Sequence, residues 1–97
     1  MPKNGHDVAA VEFRGQSFDI DLTAFRSLRV QTALALADRD PASANWAMDV
    51  VCCGHVVDYL GRIPDAGGEA PGELGCSPED WQDFLSAVAE ALQAKNS

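Results

Sequence analysis

Thiols, imidazoles and paired carboxylates are the side chains of this 97-residue chain that could do chemistry. The thiols are Cys52, Cys53 and Cys76, an odd number that makes no disulfide framework. A zinc site would have to draw on Cys52, Cys53, His55 and a distant Cys76 or His6. On a helix, positions 52, 53 and 55 point in different directions, so the spacing predicts no metal centre. Cys52 and Cys53 instead read as small apolar residues inside a helical pattern. His6 falls in a polar start, and His55 with Asp58 three residues on reads as a solvated helix flank. Ser43, Ser77 and Ser86 are expected at a helix start, a cap and a helix face, and Asp19 and Asp21 on the wet side of a strand. No nucleophile has an evident base, so neither an enzyme nor a cofactor is expected.

The elements that hold these residues follow from periodicity. Residues 1–7 (Met-Pro-Lys-Asn-Gly-His-Asp) read as a loose N-terminus. Over 8–22, Val11 and Phe13 alternate with Glu12, and Phe18, Ile20 and Leu22 alternate with Asp19 and Asp21. That period of two predicts a β-hairpin, with Arg14-Gly15-Gln16 as its turn and Gly15 supplying a positive φ. A lone hairpin is marginal in water, so it must lie on a helix or extend a partner's sheet.

Residues 23–61 predict two helices. The first runs over about 24–38, with Asp21 or Thr23 at its cap. One of its stripes is Phe25, Leu28, Thr32 and Leu36, the other Val30, Ala33, Leu34 and Ala37. The second runs over about 41–60, with Asp40 as cap and Pro41 in the first turn. It carries an apolar seam of Trp46, Val50, Cys53, Val57 and Leu60. Gly54 inside it suggests the close approach of another backbone, and Gly61 a left-handed terminator. Residues 62–76 read as a flexible loop, Gly-rich over Asp65–Gly75 and without the Lys-Ser/Thr ending of a phosphate loop. The last helix occupies 77–95, capped by Ser77, with Trp81, Phe84, Leu85, Val88 and Leu92 on one face. The expected fold is a single domain, mainly α with an N-terminal β-hairpin (α+β), its three helices packed as a small bundle.

Charge narrows the partners. Fifteen acids against seven bases give a net −8, with residues 1–40 at −1 and 41–97 at −7. Such a balance argues against a nucleic-acid surface and suits solubility or a basic partner. The apolar runs, such as Val50 to Cys53 and Ala33 to Ala37, are far short of the roughly 20 residues of a membrane span. No signal-peptide pattern opens the chain, so a cytoplasmic protein is expected.

Taken together, the layout resembles the tail assembly chaperones of long-tailed phages and prophages. The resemblance is carried by Val11-Glu12-Phe13-Arg14-Gly15-Gln16-Ser17-Phe18-Asp19-Ile20-Asp21 and by Leu34-Ala35-Leu36-Ala37-Asp38-Arg39-Asp40-Pro41. Leu60-Gly61 and the helix from Ser77 to Leu92 complete it, so that residues 8–94 are covered by loose motifs of pattern and turn. The Asp65–Gly75 insertion and the Cys52-Cys53 pair depart from the family pattern. The resemblance implies a non-enzymatic chaperone in the bacterial host cytoplasm that binds the helical tape measure protein and recruits tail tube subunits. It also implies a homo-oligomer and a longer frameshifted product, for which Ala94-Lys95-Asn96 could encode a slippery site. A generic acidic interaction module or small regulatory subunit is the other reading of the same features.

On the chaperone reading, the client docks between helices one and two. Val30, Leu34, Trp46, Val50, Val57 and Leu60 would contact it, with Trp46 and Val57 as anchors. Asp38, Asp49 and Asp58 would form an acidic rim that steers basic client segments.

Overall fold

A computed structural model of the chain describes residues 5–96, and of residues 95 and 96 the backbone alone. The expectation of a loose start therefore lies outside the described residues as far as position 4. An antiparallel hairpin, β1 (Val8–Phe13) and β2 (Gln16–Asp21), opens the fold. Five helices follow: α1 (Leu22–Arg26), α2 (Leu28–Ala35), α3 (Pro41–Val51), α4 (Val56–Leu60) and α5 (Pro78–Asn96). The α+β class with an N-terminal hairpin is as expected, whereas three helical segments have become five helices. Arg14 at φ 51° and Gly15 at φ 84° make the turn two residues long, with the positive φ values of a type I′ connection.

Both long helices expected from periodicity are interrupted. Ser27 has extended backbone (ψ 130°) and ends α1 through its own N–H, which donates to Ala24 O. Its Oγ accepts from Val30 N at 3.4 Å and so caps α2. Asp21 does the same for α1, its Oδ1 accepting from Ala24 N at 2.9 Å. The second break falls at Cys53 (φ 56°) and Gly54 (φ 84°), after which Asp49 Oδ1 accepts from Val56 N, at the first residue of α4. Gly54 is therefore a terminator, and a Cβ placed on it would meet nothing within 4 Å. The close backbone approach expected there is absent. Gly61, expected to be left-handed, does not have positive φ.

The backbone divides into two compact units: residues through Ala9 with Asp19–Val56, and Ala10–Phe18 with Val57 onward. In the first unit, Ile20, Leu22, Phe25, Val30, Ala44, Ala47, Val51 and Cys52 are buried. His6 is tied down rather than loose, its Nδ1 lying 2.6 Å from Asp21 Oδ2. Asp7 N donates to Thr23 Oγ1 in the same corner.

The second unit is built around aromatic rings. Phe18 meets Phe84 and Tyr59 edge-on with centroids 5.1 Å apart, and Trp81 stacks on Phe84. Ser77 caps α5 as expected, its Oγ accepting from Asp80 N. Arg14, at the hairpin turn, donates to Asp80 Oδ1 and Asp83 Oδ2 at 2.7 Å each and to Pro64 O at 2.9 Å. Its guanidinium also lies over the Phe13 ring. The Arg14 hydrogen bond is the main cause holding the Asp80 carboxyl below its ordinary 3.8, with Ser77 adding to it.

Two outcomes are expected from these geometries. A left-handed backbone disfavours a Cβ, so Gly54→Ala should destabilise by about 1 kcal/mol in chemical denaturation. In an uninterrupted helix the same change would stabilise by about as much. Because the folded Asp80 value is depressed, its stabilising effect is complete above 3.8 and is lost as pH falls through the folded value. Arg14 stays charged throughout. Thermal melts of wild type and Asp80→Asn should therefore differ at neutral pH and converge in strong acid.

Candidate functional site: the groove between α2 and α3

A short reversal sets α2 beside α3. The N–H groups of Arg39 and Asp40 both donate to Leu36 O, which ends α2. Asp40 then starts α3, with Oδ1 accepting from Ser43 N and Oδ2 from Ser43 Oγ at 2.7 Å. Those hydrogen bonds hold its carboxyl below the usual range. Pro41 occupies the first turn, where its missing N–H costs nothing.

Between the two helices lies an open groove of about 640 Å³. Leu28, Thr32 and Leu36 line one wall at one-turn intervals, Ala33 lies deeper, and Ala42, Ser43 and Trp46 form the α3 side. Leu28 is 81% exposed, Trp46 40% and Leu36 38%. The Arg29 guanidinium sits over the Trp46 ring, 4.7 Å from its centroid, a cation–π contact that holds the indole at the edge of the groove. The arrangement offers apolar surface and one bidentate donor. Its hydroxyls are those of Thr32 and Ser43, the latter donating to Asp40.

Of the residues expected to contact a client, Trp46 alone lines this groove. Val30 is buried at 2% exposure, because the break at Ser27 sets the phase of α2 and turns the Val30–Ala33 face inward. Leu34 and Val50 are half-buried. Val57 is 81% exposed and Leu60 half-buried, but both lie beyond the Cys53–Gly54 break and in the second unit. The expected seam from Trp46 to Leu60 is thus cut in two. Of the acidic rim, Asp38 is exposed in the α2–α3 turn. Asp49 accepts from Val56 N, and Asp58 faces Arg62, 3.3 Å from its Nε but off the hydrogen-bond direction. The residues missed are Leu28, Thr32 and Leu36, the other stripe of the same helix.

The thiols are poor nucleophiles. Burial is the main cause that pushes Cys52 up to about 12, and it raises Cys53 and Cys76 as well. No group of three or more His, Cys, Asp or Glu side chains could hold a metal among the described residues. No described helix is long and apolar enough to cross a membrane. Compared with family models, curated proteins and solved structures, the chain matches none.

The two tryptophans report on the groove separately, since Trp81 is only 8% exposed. Iodide should quench the Trp46 emission and spare that of Trp81. In Trp46→Phe the quenchable component should disappear, and if it persists the groove wall is not as described.

Proposed function

We propose that the chain is a non-enzymatic tail assembly chaperone that holds an amphipathic helix of the tape measure protein in the α2–α3 groove. The observation that carries this reading is the exposure of Leu28, Leu36 and Trp46 along one open furrow. A helical client presents apolar side chains at intervals of one turn, matching the spacing of Leu28, Thr32 and Leu36. The net charge of −8 keeps such a surface from associating indiscriminately. Tail tube subunits, the second partner implied by the resemblance, would use a surface other than this groove. The setting of the assembly is the cytoplasm of the bacterial host.

Co-expression of the full chain with the tape measure protein, followed by a pull-down, tests the reading. Trp46→Ala should weaken retention by about 2 kcal/mol, as removal of an aromatic anchor does. Because Trp46 is partly exposed, the variant should keep its circular dichroism spectrum. A folded Trp46→Ala that retains the client like wild type would remove the groove from the mechanism.

A further inference from the structure

Large side chains stand at the two ends of the α2–α3 groove, and small ones make its middle. Along α2, Thr32 and Ala33 fall between Leu28 and Leu36; along α3, Ser43 falls between Asp40 and Trp46. Ala33 is the most buried of these residues but one face of it still lines the opening, at 8% exposure. A large apolar side chain from a partner gains most contact above it, as a knob seated in a hole.

The two ends also differ in charge. The Arg29 guanidinium lies over the Trp46 ring, which sets the start of α2 against the middle of α3 and puts a cation at that end. Asp40 stands at the other end, its N–H donating to Leu36 O. From Arg29 to Leu36, the C-cap of α2, the chain rises about 10 Å, two helical turns. Arg29 and Asp40 are the charged residues that line the groove, and both are exposed. Ser43 uses part of the accepting capacity of the Asp40 carboxylate and leaves the rest open. In the turn, Asp38 and Arg39 offset one another and neither lines the groove. Asp49, the next acid along α3, accepts from Val56 N. The groove is therefore neutral in sum and polar along its length.

We propose that the groove selects a helix with a large apolar side chain at its centre, an acid one turn to one side and a base one turn to the other, and that these charges set the direction in which the helix lies. The apolar side chain seats above Ala33, the acid meets Arg29 and the base meets Asp40. The inference rests on reading the groove as a helix-docking surface and adds the chemistry of the helix it takes. A helix with two acids or two bases in those places loses one pair and meets a like charge instead. One whose acid and base are exchanged must turn end for end to bind. Both pairs are exposed, so they contribute selectivity and orientation more than affinity.

An Ala-rich synthetic peptide of about 16 residues, long enough to be partly helical by itself, tests this against the full chain. It carries Leu at its centre, Glu one turn before and Lys one turn after, and is titrated at physiological salt to screen the net charge. A nitroxide, which quenches an indole only near contact, is attached at one end or the other. Trp46 is the reporter, since Trp81 is only 8% exposed. The label beside Glu should quench Trp46 and the label beside Lys should not; exchanging Glu and Lys should move the quenching to the opposite terminus. Replacing the central Leu by Ser should weaken binding by about ten-fold, the effect of a lost buried leucine. Arg29→Gln should weaken binding about three-fold, and not at all for a peptide with Gln in place of Glu. Asp40→Asn keeps a capping oxygen and should act in the same way through Lys. Circular dichroism checks that both variants fold. Equal quenching from both ends, quenching that stays with one terminus when the charges are exchanged, or no binding would each overturn the proposal. Retention of the tape measure protein beside any of these results leaves the chaperone reading standing. A peptide bound in one direction, without that retention, supports the proposal and sinks the chaperone reading alone.

Discussion

Between Asp21 and Asp40, three short side chains each accept a backbone N–H at the start of a helix, and the groove depends on all three. The first turn of a helix leaves N–H groups without partners, and a side-chain oxygen at the preceding residue satisfies one of them. Asp21, Ser27 and Asp40 do this for α1, α2 and α3 in succession. Each cap also fixes the phase of the helix it starts. Because α2 starts at Leu28 rather than continuing α1, its Val30 and Ala33 are buried, and Leu28, Thr32 and Leu36 are left at the surface. Because α3 starts so soon after Leu36, the exposed ridge has a second wall beside it. A change in the first of these interruptions would rotate a different stripe into view.

Capping also explains which features were legible beforehand. The hairpin was, since alternation over Val11–Phe13 and over Phe18–Leu22, with a glycine at 15 between them, leaves one register in which the apolar residues share a face. So were the starts of α3 and α5, where Asp40-Pro41 and Ser77-Pro78 combine a capping oxygen with a residue suited to the first turn. The breaks at Ser27 and at Cys53–Gly54 were not. Apolar residues continue at helical spacing straight across both of them, so periodicity alone joins what the backbone separates. A local signal existed in each case: a serine that can cap, and a glycine that can turn left-handed. Each competed with the longer pattern, and the shorter-range hydrogen bond won.

The same competition decided the site. Helix one had two stripes, and the client was expected on the one that carries Val30 and Leu34. The pattern could say that one stripe would be surplus but not which, because that depends on phase, and phase depends on a cap. Trp46 was identifiable because a large aromatic ring on an apolar seam is the usual anchor of a groove. Val57 was misplaced for another reason: it lies past Gly54, so its exposure belongs to α4 and has no bearing on the furrow that Trp46 lines.

Charge sets the terms on which this much apolar surface can stay open. Isolated exposed leucines are ordinary, but Leu28, Leu36 and Trp46 are contiguous, and contiguous apolar surface invites association. Long-range repulsion between copies of net charge −8 opposes collapse at any distance up to about a Debye length. Short-range contacts are a different matter, because Arg26, Arg29 and Arg39 stand exposed on α1, on α2 and in the turn before α3, with Asp38 and Asp40 flanking the last of them. An acidic chain whose apolar furrow carries both Arg29 and Asp40 resists unselective contact, yet admits a partner whose own charges pair with these two beside an apolar side chain. Selectivity of that kind needs the repulsion as much as the attraction. Adding bases at random would raise affinity for copies and clients alike, and would erase the distinction the furrow is able to make.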